Sequence, residues 1–141
     1  MEFFIFLVSF SFALDQSGFA RVPIIVKSGD IVVVLRGLID TGADAIYIDS
    51  HIAEYMGLLP FGVEDVGAAG GTLRARRTIL ESVAIISSDF QMKLARDNVN
   101  AFIVQSLGEE IVIGTRFFEN CNLSFNFVNM KLVIEGNWIK L

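Results

Sequence analysis

From residue 20 onward the chain is a string of short runs rich in β-branched residues, separated by turns, a strand-like rather than a helical pattern. Val22–Lys27 and Ile31–Ile39 flank Ser28-Gly29-Asp30 and read as a hairpin. Thr78–Ser87, Val99–Val104 and Glu110–Ile113 read as further strands, and Leu123–Phe127 with Lys131–Glu135 form a second hairpin around Val128-Asn129-Met130. Two short helices interrupt the pattern. One runs from His51 to about Met56, with Ser50 as its cap, Glu54 near its positive end and Gly57 at its stop. The other covers about Thr115 to Asn120, directly after Gly114. Strands this short at such close spacing predict an all-β fold, a small closed barrel carrying one or two helical turns.

The first twenty residues break the pattern. Phe3–Leu14 reads FFIFLVSFSFAL, too short to cross a bilayer, which takes about 20 apolar residues. Its length suits the apolar part of an export signal, and Ser11-Phe12-Ala13 has a small-x-small form, but no Lys or Arg precedes Arg21. The other reading is a β-strand packed on the body or on a second subunit. The compartment follows from that choice: exported if residues 1–13 are a signal, cytoplasmic otherwise, with membrane association left open. We divide the chain into an apolar segment, 1–20, and one domain, 21–141.

Composition narrows the chemistry. A chain of 141 residues, 53% hydrophobic and 19% charged, forms one ordered domain and excludes a two-lobed enzyme. A net charge of −5 without a basic stripe argues against nucleic-acid binding. One Cys and one His leave no intramolecular disulfide, no thiolate-rich zinc site and no His-based metal cluster. A pair of Asp carboxylates stays open, and a symmetric pair would need two copies of the chain.

Leu38-Ile39-Asp40-Thr41-Gly42-Ala43-Asp44 is the most informative stretch. An apolar strand runs straight into a carboxylate, a hydroxyl and a glycine that permits close main-chain approach or positive φ. An ordinary turn after a strand would have the same composition.

Three further segments stand in a telling order: Ile46–Leu58, Val66-Gly67-Ala68-Ala69-Gly70-Gly71-Thr72, and Ile111-Val112-Ile113-Gly114 with Cys121–Phe125 after it. With Asp40–Asp44 they resemble the retropepsin-like aspartic proteases: the catalytic loop, the strand and helix after it in bacterial and cellular members, the flap hairpin, and the second apolar-Gly element. The resemblance spans about residues 22–135. It implies an acid-protease barrel with a flap, acting as a homodimeric aspartic endopeptidase on polypeptide without cofactor or metal. Asp40 would be the catalytic carboxylate, Thr41 an inter-subunit brace, and Gly42 a carbonyl contact to substrate. Ala43, Asp44 and Ile113 would line the groove, and Gly67, Ala68, Ala69, Gly70 and Gly71 would form the flap. Ile46, Ile48 and Ile113 would make that groove apolar.

Two features depart from the family pattern. Many retroviral members carry Arg directly after the second Gly, paired with the Asp of the catalytic loop; here Thr115 stands there and Arg116 follows, so an Arg116–Asp44 pair is left open. The apolar termini, Met1–Leu14 and Trp138–Leu141, would have to supply the interleaved dimer strands. An alternative function is a catalytically weak or inactive binding or assembly module on the same fold. Other residues read as structural: His51 as a surface or capping residue, Arg74, Arg76 and Arg77 as a solvated strand edge, Cys121 as a small hydrophobe, Glu109-Glu110 as a polar turn. Asn122-Leu123-Ser124 matches a glycosylation sequon at a strand start.

Overall fold

The computed structural model describes residues 7–68 and 71–141. In chain order the elements begin with β1 (Val8–Ala13), β2 (Ala20–Ser28), β3 (Ile31–Ile39), β4 (Ile46–Asp49) and α1 (Ser50–Met56). A hairpin of β5 (Val63–Ala68) and the long β6 (Gly71–Ile86) follows, then β7 (Met92–Val104) and β8 (Ile111–Ile113). A 3-10 turn, η1 (Thr115–Phe118), leads to β9 (Asn122–Asn126), β10 (Lys131–Gly136) and β11 (Ile139–Lys140).

Pairing in the order β7-β4-β8-β3-β2-β6, closed by β6 against β7, makes a barrel of six strands. The expected all-β closed barrel is therefore the fold. β2 shows how sequence becomes wall: Ala20, Val22, Ile24 and Val26 are buried while the residues between them face outward. Pro23 fits because β2 meets β6 only over Ile24–Lys27, so the proline, which has no N–H to donate, sits where one edge is unpaired. Gly29, at φ 59°, makes the β2–β3 turn where the spacing predicts it.

The helix forms where expected but with a different cap. The Asp49 carboxylate, not Ser50, accepts from the His51 N–H at 3.1 Å, and Gly57 ends the helix in the left-handed region at φ 67°. The second helical segment closes after a single 3-10 turn. Beside the barrel lies a three-stranded sheet, β1-β10-β9. Residues 8–13 of the apolar run pair along their length with β10, from Val8↔Gly136 to Ala13↔Lys131, whereas residues 3–6 lie outside the described residues. Phe12 and Leu14 join the main core, and Trp138 packs edge-on against Phe10 at 4.8 Å and stacks on Phe12. β11 pairs with the start of β7.

Candidate active site

The loop after β3 is clamped to the segment after β8. The two strands run parallel, Gly37↔Ile111 to Ile39↔Ile113, so they deliver Asp40 and Gly114 to the same end of the barrel. The Asp40 N–H donates to the Ile113 carbonyl at 3.0 Å, continuing the ladder one step beyond the strand. The Thr115 N–H then donates to the Ala43 carbonyl at 2.9 Å and the Arg116 N–H to the Asp44 carbonyl at 3.0 Å.

Gly114 allows this contact through its size. Its backbone is extended, φ −87° and ψ −178°, so no special dihedral is required. A Cβ there would lie 2.3 Å from the Ala45 carbonyl oxygen and 2.7 Å from the Ala45 nitrogen. Gly42 works differently: its N–H donates to Asp40 Oδ1 at 2.8 Å, and a Cβ on it would stand 3.1 Å from that same oxygen. With the Ala43 N–H on the Asp40 carbonyl at 3.2 Å, the turn holds one carboxylate oxygen and leaves the half-buried Asp40 side chain accessible. Thr41, Gly42 and Asp44 are exposed beside it.

A cleft of about 830 Å³ opens next to this loop, with Asp44, Tyr47, Gly67, Arg77, Arg116 and Phe117 among its walls. Asp40 is not on that wall; within one chain the cleft begins at the Asp44 side of the loop. Tyr47 faces Asp44 Oδ1 at 3.5 Å and stacks on Phe102. Burial pushes the Tyr47 phenol above its ordinary pKa, and the Asp44 charge adds to the rise.

Of the residues singled out in the sequence, Asp40, Thr41, Gly42, Ala43 and Asp44 come together in the loop. Gly67 lines the cleft from β5, and Ala68 pairs with Gly71 at the turn end of the β5–β6 ladder. Ala69 and Gly70 lie outside the described residues. Ile113 is a correction: its side chain is wholly buried in the core, so it cannot line a groove. Ile111 and Ile113 share the face of β8 turned into the main core, and Val112 on the opposite face is buried as well, so both faces of this short strand are covered. Ile48 is likewise fully buried; Ile46, though nearly buried, is among the residues lining the cleft, which is edged mainly by charged and aromatic groups. Among the described residues Arg116 makes no ion pair with Asp44; only its backbone reaches that residue. Arg76 does not border a free edge, because β5 and β7 flank β6 there, and Arg77 pairs with β7 and meets Glu64 at 3.3 Å; Arg74 pairs with β5 alone, beyond the end of the β6–β7 ladder, and keeps the strand-edge reading.

Sequence reasoning missed Arg96. From β7 its guanidinium donates to the carbonyls of Phe117 at 3.1 Å and Glu119 at 2.9 Å, and it lies over the Phe117 ring. It thereby anchors the turn after Gly114. An arginine on an alternating strand reads as solvated, and nothing local in the sequence signals otherwise. Glu109 and Glu110 are more than a polar turn: Glu109 accepts from Arg21 at 2.6 Å and Glu110 from the Arg36 N–H at 2.6 Å. His51 sits exposed at the helix start, consistent with the surface reading.

Residues 33–120 match the family described as "gag-polyprotein putative aspartyl protease". Among solved structures, a retropepsin-like aspartic protease from Rickettsia conorii superposes with TM-score 0.68 at 16% identity, covering 96% of each chain. The retroviral protease-like domain of Ddi1 from Leishmania major superposes with TM-score 0.50 at 14% identity, covering 92% of this chain and 94% of that one. No curated protein sequence matches. The barrel is the retropepsin-like fold, and the chain belongs to the gag-polyprotein aspartyl protease family.

Proposed function

We propose that this chain is an aspartic endopeptidase that works as a homodimer, with Asp40 of each copy meeting across a two-fold axis. The observation that carries this reading is the Asp40 loop itself: an accessible carboxylate on a turn held by Gly42, Ile113, Thr115 and Arg116 main-chain hydrogen bonds. A carboxylate fixed by backbone needs little reorganisation when charge develops, which is the condition for acid–base catalysis at a defined distance.

Two such carboxylates a few Å apart share one proton and titrate as a pair. The ionised member takes a proton from a bridging water as that water attacks the peptide carbonyl. The protonated member donates to the carbonyl oxygen and later to the leaving nitrogen. Thr41, exposed at the loop tip, would brace the partner loop, and the Gly42 carbonyl would receive the substrate backbone. Ala43 and Asp44 would line the groove, and the β5–β6 hairpin, from Gly67 and Ala68 through Ala69 and Gly70 to Gly71, would close over it. An extended polypeptide would lie between the two copies, joining the Asp40 pair to the cleft that begins at Asp44.

The second reading, a binding module that cleaves little, draws on Arg116: without an ion pair to Asp44, side-chain support of the loop is weaker than the family pattern provides. Proteolysis of an unstructured protein separates the two, comparing wild type with Asp40→Asn from about pH 4 to 7 over a dilution series. Cleavage that falls at least ~100-fold in the variant and faster than linearly on dilution is the expected result. A folded dimer that cleaves nothing would establish the binding module instead.

A further inference from the structure

The edge of β3 has a free half. β2 covers one side of β3 along its length, from Ser28↔Ile31 to Ala20↔Ile39, but β8 covers the other side only at Gly37–Ile39. Among the described residues no strand lies against the outer side of Ile31–Arg36. The stretch is Ile-Val-Val-Val-Leu-Arg, without the Lys, Pro or bulge that usually protects an edge. Val32 and Val34 are 58% and 66% exposed.

We propose that this edge is a self-pairing interface, joining two copies of the chain antiparallel around a two-fold axis at Val33. Two observations select a second copy in this register. The first is hydrogen-bond parity. The Arg36 N–H points away from β2, to Glu110 Oε1, so by strand alternation the N–H and C=O groups of Val34 and Val32 also point outward. An axis at Val33 sets Val32 opposite the partner's Val34, which pairs those outward groups with each other. The second is charge. The same register sets Asp30 opposite the partner's Arg36 and Arg36 opposite the partner's Asp30. Neither residue has an ion-pair partner among the described residues of its own chain. Two opposite-charge pairs thus bracket four valines on one sheet face, an arrangement that rewards antiparallel pairing and opposes a parallel one.

The interface is separate from the proposed Asp40 pairing, since Val33 lies roughly 23 Å from Asp40 along an extended strand. A chain that uses both two-folds assembles beyond a dimer.

Sedimentation of the full chain over a concentration series tests this, with wild type, Asp30→Arg, Arg36→Asp, the double swap and Val34→Lys. These positions are exposed, and circular dichroism verifies that each variant is folded. Each single charge reversal is expected to weaken association at least about tenfold, Val34→Lys to remove it at this edge, and the double swap to restore it, because both pairs are rebuilt with reversed polarity. Association unchanged by all the variants overturns the proposal even if the wild type dimerises, because the dimer then uses another surface. Wild type that remains a single chain at ~100 μM overturns it as well, and so does a double swap that fails to rescue, which would assign the edge to another partner or register.

Discussion

Gly114→Ala measures how firmly the Asp40 loop is seated. The added methyl carbon would lie 2.3 Å from the Ala45 carbonyl oxygen and 2.7 Å from both the Ala45 nitrogen and the Asp44 carbonyl carbon. All three are backbone atoms, so no rotamer change relieves the overlap. Ordinary carbon contacts need about 3.5 Å, so loop and turn must separate by on the order of 1 Å. Overpacking of this kind costs about 1–3 kcal/mol. The separation also stretches the hydrogen bonds from Thr115 to Ala43 and from Arg116 to Asp44, each contributing about 1 kcal/mol. The sum is about 3–5 kcal/mol, a fall in Tm on the order of 12–20 °C at roughly 4 °C per kcal/mol. Urea unfolding, with Gly67→Ala as the control, reads this directly, because a Cβ at Gly67 meets nothing within 4 Å. Gly114→Ala within about 0.5 kcal/mol of the control would refute the claim that the loop rests on this glycine.

Other expectations follow from the same structure. Asp49→Ala removes the α1 cap and should cost about 1 kcal/mol, while Ser50→Ala stays within about 0.5 kcal/mol; denaturant midpoints that reverse this order would return the cap to Ser50. Trp138→Ala empties the contact with Phe10 and Phe12 and should cost about 3–5 kcal/mol, with the β1 amides losing hydrogen-exchange protection first. The Asp15 carboxyl is held below its ordinary value of 3.8, chiefly by the Phe19 N–H, with help from the Ser17 N–H and Arg21. Its stabilisation is therefore complete above 3.8 and lost as pH falls through the lowered folded-state value. Asp15→Asn should flatten the acid limb of stability measured by urea unfolding below that pH, and an unchanged limb would contradict the assignment.

The sequence was informative wherever a residue's neighbours in the chain decide its conformation. β2 and β3 were legible because runs rich in β-branched residues flank a glycine turn, and the Gly57 stop because a left-handed backbone favours glycine. Asp40–Asp44 and Ile111–Gly114 were legible as motifs. Their junction was not, since the reason for Gly114 is a backbone atom of Ala45 that comes near only when β3 and β8 pair. The same limit explains Ile113 and Arg96. Ile113 is apolar whether it faces a groove or a core, and only what packs against its face of β8 decides which. Arg96 finds its carbonyls across the barrel, at Phe117 and Glu119. The run Val8–Ala13 alternates Phe with Ser and so carries a strand's period, yet its partner strand, β10, lies at the opposite end of the chain. Local propensity and turn chemistry act over a few residues and are written in order along the chain. Long-range pairing and burial depend on which segments meet, and that was decided by the tertiary structure alone.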